Sequence, residues 1–156
     1  MIPAAFDYKK ADSAEEAIAL IAEHGDEAKL LAGGHSLIPM MKLRLAVPSV
    51  LVDIAGVNDL SYIDDRDDHI AIGALAKHRS LETSDLLIAE CPLLAHVASK
   101  VGDPQVRHRG TIGGSLAHSD PASDLPAAVL ALGGSLVAKG PSGEREIAVA
   151  DFFTGY

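Results

Sequence analysis

Arg107-His108-Arg109-Gly110-Thr111-Ile112-Gly113-Gly114-Ser115-Leu116-Ala117-His118-Ser119-Asp120-Pro121 concentrates glycines, hydroxyls, cations and histidines more densely than any other part of the chain. It opens on a cationic run and then sets Gly110, Gly113 and Gly114 among the hydroxyls of Thr111, Ser115 and Ser119. Glycine lets a backbone adopt φ > 0 and lets another group approach the main chain closely. Successive exposed N–H groups in such a turn form a concave nest for anions. The stretch therefore reads as a phosphate-holding loop, and the open question is whose phosphate it holds.

Gly-Gly recurs at Gly33-Gly34 and at Gly133-Gly134. Gly133 follows the apolar run Ala127-Ala128-Val129-Leu130-Ala131-Leu132, where a helix C-terminal glycine belongs, so that pair is structural. Gly33-Gly34-His35-Ser36 instead follows a strand and opens a helix. A helix N-terminus offers unpaired N–H groups and about half a positive charge, which suits an anion. No G-x-x-x-x-G-K-[ST] and no strand-borne G-x-G-x-x-G occurs, so neither a P-loop nor a dinucleotide-binding Rossmann site fits. A tight structural turn would explain either loop alone. Two such loops in separate lobes could face each other and clamp a diphosphate.

The elements around them predict an α+β chain. Phe6-Asp7-Tyr8 reads as a strand, and Ser13 with Glu16 fits a capping box for a helix that stops at Gly25. Lys29–Ala32 reads as a short buried strand, Leu37 to about Leu45 as a helix, and Val50–Ile54 as a strand. Residues 1–55 thus form a small α/β lobe. Beyond it, Leu60–Ile63 and His69–Gly73 flank the acidic run Asp64–Asp68 as a hairpin. Helical segments follow at Ser80–Thr83, Asp85–Glu90, Pro92–Val101 and about Asp124–Leu132, with a second hairpin around Gly140–Gly143. Val149–Phe153 looks like the start of a further element. Residues 56–156 make a second lobe of the same domain, with mixed or antiparallel sheet and helices.

Composition narrows the partners. The chain of 156 residues carries 13 Lys and Arg against 22 Asp and Glu, a net charge of -9, which disfavours nucleic acid. Trp is absent and aromatics are 4%, so stacking platforms for bases are scarce. The single Cys91 excludes an internal disulfide or a cysteine-only metal or cluster site, and its apolar surroundings suggest a buried thiol. No apolar run reaches the ~18–20 residues that span a bilayer, and the N-terminus lacks a signal-peptide pattern, so a cytoplasmic location is the default.

Ala32-Gly33-Gly34-His35-Ser36-Leu37-Ile38-Pro39-Met40-Met41-Lys42, then Arg109–Ser115, then Ser119-Asp120-Pro121-Ala122-Ser123-Asp124-Leu125-Pro126-Ala127, closely resemble the FAD-binding medium subunit of molybdenum hydroxylases. The opening Ile2–Tyr8 is similar to the carbon monoxide dehydrogenase branch, and the resemblance runs in register over the whole chain. It implies a two-lobed FAD-binding domain of the vanillyl-alcohol oxidase type, with an extended FAD between the lobes. Carried over by position, the cofactor-binding residues are Ala32, Gly33, Gly34, His35, Ser36 and Leu37, then Thr111, Ile112, Gly113, Gly114 and Ser115. Ala117 and Ser123 would line the cofactor, and Asp124 would bind a ribose or ribityl hydroxyl. The resemblance further implies a molybdenum-containing large subunit and a [2Fe-2S] small subunit in a dimer of heterotrimers, in the cytoplasm or at the inner face of the membrane. The molybdenum cofactor and the clusters belong to those partners. No acid, base or nucleophile is expected on this chain. Two departures stand out: many relatives have Asn at the Ser115 position, and relatives continue well beyond Tyr156. The resemblance therefore also implies a second lobe incomplete at its C-terminus, whether as a truncated product, a fragment or half of a split subunit. A non-catalytic nucleotide-binding or scaffold chain is the alternative.

Two other chemistries are weaker. His118 with Asp120 suggests a metal, but no HExxH pair supports it. Ser115, His118 and Asp120 make a triad only on paper, without a G-x-S-x-G elbow. Met40 and Met41 are expected to pack in the core.

Overall fold

The computed structural model describes residues 1–154, so the expected boundary at Tyr156 lies outside the described residues. The first layer is a parallel sheet built from β1 (Asp7–Lys10), α1 (Ala14–His24), β2 (Ala28–Leu31), α2 (Leu37–Lys42) and β3 (Val50–Asp53), with strand order β1-β3-β2. The chain's most apolar strand takes the centre. Val50, Leu51 and Val52 are all buried, as a strand covered on both faces requires. Lys29–Ala32 was expected to be buried, but among the described residues β2 is an edge strand, and Leu30 stays 47% exposed.

Helix α1 begins as its sequence predicts. The Ser13 hydroxyl accepts from the Glu16 N–H at 3.1 Å, and Gly25 ends the helix at φ 54. The Glu16 carboxylate reaches one residue further back than in a standard capping box, accepting from the Asp12 N–H at 2.8 Å. Ala17 seats α1 on Ala11, Ala28, Val50 and Val52, with Leu20, Ile21 and Ile54 around them. Helix α2 stops at Lys42, short of the expected Leu45. Arg44 turns left-handed at φ 60, and the Leu45 N–H folds back onto the Met40 carbonyl. Met41 is buried there as expected.

The second region starts with the hairpin β4 (Ile63–Arg66) and β5 (His69–Ile72). Its turn is only Asp67-Asp68, so Asp64 and Asp65 belong to the strand rather than to the expected acidic turn. Pairing Ile63 with Ile72 selects this register, and Asp67 supplies the positive φ of 54 that a two-residue connection needs. Helices α3 (His78–Glu82), α4 (Asp85–Glu90), α5 (Pro92–Lys100), α6 (Pro104–Arg107), α7 (Ile112–His118) and α8 (Asp124–Leu132) follow. The second hairpin, β6 (Ser135–Gly140) with β7 (Gly143–Ala148), and a short α9 (Val149–Phe152) complete the described residues. Leu81, Leu87, Leu94, Ala98, Ile112, Leu116, Leu125 and Ala128 form a second core, with Cys91 packed against it. Lys139 on β6 reaches Glu15 on α1 at 2.5 Å, tying this hairpin to the first layer.

The architecture is the expected α+β arrangement, with two differences that bear on function. Helix α6 was not read from sequence, although Asp103 accepts from the Val106 N–H at 2.9 Å and Pro104 stands at its first position. The glycine-rich stretch is largely a helix, not a loop: Thr111 caps α7, and Gly113-Gly114 lie in its first turn. No helix among the described residues is long and apolar enough to cross a membrane.

Candidate cofactor site

The two glycine stretches meet. A Cβ added to Gly33 would lie 2.2 Å from the Arg109 carbonyl oxygen and 2.9 Å from the Gly110 Cα, so only glycine lets the backbones touch. On the first stretch, Gly34 holds φ 78, and the chain then turns through His35 and Ser36 into α2. Among the described residues, the N–H groups of Gly33, Gly34, His35 and Ser36 donate to no backbone carbonyl. The Ser36 hydroxyl does not cap the helix it precedes. Donors without protein partners, at a bend open to solvent, suit an oxyanion. His35 and Ser36 are exposed, while Ala32, Gly33, Gly34 and Leu37 are half-buried.

The second stretch uses its donors differently. The N–H of Ile112 goes to the Ala76 carbonyl at 3.0 Å, and that of Gly113 to the Ala74 carbonyl at 2.9 Å. Gly114 donates to the Thr111 hydroxyl at 3.2 Å, and Ser115 to the Thr111 carbonyl at 3.0 Å. Gly113 is glycine for packing: a Cβ there would sit 2.6 Å from both the Ala74 Cβ and its carbonyl oxygen. Gly114 is exposed, and its nearest obstacle is the Thr111 hydroxyl at 2.8 Å. Of the expected cofactor residues on this stretch, Thr111 and Ile112 are buried, Gly113 and Ser115 are half-buried, and Gly114 and Ala117 are exposed.

Two further expected residues are brought together. The hydroxyls of Ser115 and Ser123 lie 2.8 Å apart, linking α7 to the start of α8. Asp124 is exposed and lines, with Ser123, Ala127, Leu93 and Val97, a groove of about 550 Å³ between α5 and α8. Ser115 thus has Ser123 as its partner, and Asp120 accepts from the Ala122 N–H at 2.9 Å, so the paper triad with His118 is not assembled.

The cationic run upstream divides. Arg107 is largely buried, bonded to Glu82 at 3.0 Å and to the Val101 carbonyl at 3.1 Å, and so anchors α6. Glu82 also holds Arg79 at 3.0 Å, and that hydrogen bond, with the charge of Arg107, keeps its carboxyl below the usual carboxylate range. His108 is tied to the Pro104 carbonyl. One residue of the site has no sequence signal at all. His78 is 5% exposed, its N–H donates to the Gly110 carbonyl at 3.0 Å, and burial, then the charge of His35, pushes its pKa down to about 4. Only the approach of α3 to Gly110 reveals it.

Residues 4–156 match the family model described as the FAD binding domain in molybdopterin dehydrogenase. The chain belongs to that family. Among curated relatives of this FAD-binding domain, the 6-hydroxypseudooxynicotine dehydrogenase complex subunit alpha of Paenarthrobacter nicotinovorans is 46% identical over 156 residues, covering 100% of this chain and 53% of the relative. The carbon monoxide dehydrogenase medium chain of Hydrogenophaga pseudoflava is 46% identical over 155 residues, covering 99% of this chain and 54% of the relative. A solved structure of carbon monoxide dehydrogenase from H. pseudoflava superposes with a TM-score of 0.97 at 46% identity, over 99% of this chain and 54% of that one. The chain spans about half the length of the curated relatives it matches. The unpaired N–H groups of Gly33–Ser36 fit the diphosphate of the FAD that the family's description names.

Proposed function

We propose that this domain is the FAD-holding part of a medium subunit in a molybdenum hydroxylase of the carbon monoxide dehydrogenase type. The observation that carries the reading is the contact of Gly33 with Arg109-Gly110, which sets an open row of N–H donors beside a capped helix start. The Gly33, Gly34, His35 and Ser36 N–H groups bind the diphosphate, and Ala32 and Leu37 flank it. Gly113, Gly114 and Ser115 form the facing wall, backed by the buried Thr111 and Ile112, which lets the cofactor lie close along Gly114 and the Ser115 hydroxyl. Ala117 and Ser123 continue that wall toward Asp124, whose exposed carboxylate accepts from a sugar or ribityl hydroxyl. The separate cores of the first layer and of the helical region support two lobes, residues 1–55 and 56–156, of one domain.

When bound, FAD supplies the redox chemistry, relaying electrons from the iron–sulfur clusters of a partner to an external acceptor. This chain's own residues bind and orient it; none is assigned as acid, base or nucleophile. The partners are a molybdenum-containing large subunit and a [2Fe-2S] small subunit, assembled as a dimer of heterotrimers. The names of relatives support membership of a multi-subunit dehydrogenase: one is a subunit of a dehydrogenase complex, another a medium chain.

The test is direct. Purified protein should be yellow or become so with added FAD, and mass analysis of the released cofactor should give FAD. A protein that stays colourless with FAD would sink the reading, and a bound mononucleotide would refute the diphosphate cradle. Co-purification with subunits carrying molybdenum and [2Fe-2S] clusters checks the assembly.

A further inference from the structure

We propose that His78 is a positioning residue for the cofactor cradle: its ring backs Gly110 and so holds the second stretch at the separation from Gly33 that the cradle needs. The inference rests on the FAD reading above. Gly110 touches two things at once. Its Cα would lie 2.9 Å from a Cβ on Gly33, and a Cβ of its own would lie 2.6 Å from the His78 Nε2 and 2.7 Å from the His78 Cδ2. The backbone repeats the tie: the His78 N–H donates to the Gly110 carbonyl at 3.0 Å, and Lys77 forms an antiparallel bridge with Thr111. Gly110 does not need a positive φ, so the imidazole, more than the backbone conformation, is what excludes a side chain there.

The ring is a poor choice for stability alone. It is 5% exposed, and its Nδ1 is buried with no hydrogen-bond partner among the described residues. A buried polar atom without a partner costs free energy that an apolar ring of similar shape would not. What the imidazole does have is place. It lies against Gly110 of the second stretch and within electrostatic reach of His35 in the first, and burial keeps it neutral beside that histidine. A neutral, flat side chain there fills the space behind Gly110 without adding a charge under the cradle.

The experiment measures FAD dissociation constants at pH 7 by flavin fluorescence, with melting temperatures of the cofactor-free proteins alongside. His78→Ala should weaken FAD binding by about tenfold, because the unsupported Gly110 can retreat from Gly33. His78→Phe restores a ring and should bind within about threefold of the wild type while melting no lower. Gly110→Ala should weaken binding by about thirtyfold through the clash with the ring. The double variant Gly110→Ala/His78→Ala should bind within about threefold of His78→Ala alone, since the ring clash is then gone and only the Val106 carbonyl, 3.2 Å from the methyl, has to yield. Wild-type affinity in His78→Ala overturns the role, and so does a double variant whose loss is the product of the two single losses. His78→Phe that binds as poorly as His78→Ala also overturns it. A wild-type chain that binds no FAD overturns the cofactor reading itself, and this role with it.

Discussion

The backbone of Gly33 lies directly against the carbonyl of Arg109: a methyl on Gly33 would sit 2.2 Å from that oxygen. This contact joins the strand-to-helix bend after β2 to the segment that leads into α7. Every expected cofactor residue between Ala32 and Ser115 belongs to one side or the other of it.

Gly33→Ala tests the contact itself. The obstacle is backbone on a neighbouring segment, so no side-chain rotation relieves it, and the two stretches must separate. The expected cost is about 1–3 kcal/mol of stability, read in urea unfolding, together with a loss of FAD affinity of at least about tenfold. Unchanged flavin content would show that the cradle does not need this approach.

Gly113 and Gly114 should separate by experiment, although they are neighbours. Gly113→Ala drives a methyl into Ala74, 2.6 Å away, and should lower stability by about 1–3 kcal/mol. Gly114 is exposed and meets only the Thr111 hydroxyl, so Gly114→Val should leave the fold largely intact while abolishing FAD binding. Circular dichroism melts and bound-flavin absorbance on the same two variants distinguish the roles. A Gly114→Val protein that retains its flavin would remove that face of α7 from the site.

His78 gives stability a pH dependence of known sign. Its pKa falls from 6.5 in the unfolded chain to about 4 in the folded one, so between these values the unfolded chain binds more protons. Stability is therefore fully present above about pH 6.5 and declines as pH falls toward 4, by on the order of 3 kcal/mol across the window. Subtracting the urea-unfolding profile of His78→Phe from that of the wild type isolates the contribution from that of the carboxylates. Parallel profiles would assign the dependence to other groups.

Ser13→Ala serves as a control outside the proposed cradle. It removes the hydroxyl that accepts the Glu16 N–H and should cost about 1 kcal/mol, seen as a lower melting temperature. FAD affinity per folded molecule should not change. A selective loss of flavin would mean that α1 is coupled to the cradle.

Local chemistry made much of this molecule legible. Ser13, Glu16 and Gly25 bound α1 because cap bonds join residues three or four apart, and such bonds are written in adjacent letters. Gly133 closes α8 at φ 68 for the same reason. Val50–Asp53 was readable as a strand from its apolar run Val50-Leu51-Val52, whereas its place at the centre of the sheet came only from its pairing with β1 and β2. The acidic run at 64–68 misled, because charge suggested a turn whereas the Ile63–Ile72 pairing, a partner on another strand, decided where the turn falls. Leu30 misled in the same way: apolar letters fit a buried strand, and only the strand order made β2 an edge.

Within the proposed site, residue types and motif spacing singled out two glycine-rich stretches and suggested an anion as their ligand. The tertiary structure decided how each is used. Two Gly-Gly pairs that read alike divide into an open row of donors at Gly33–Ser36 and a helix start whose donors are spent inside the protein. The physical reason is that a glycine is informative for what it leaves room for. At Gly33 that neighbour is Arg109, at Gly110 it is His78 and at Gly113 it is Ala74, all brought there by folding.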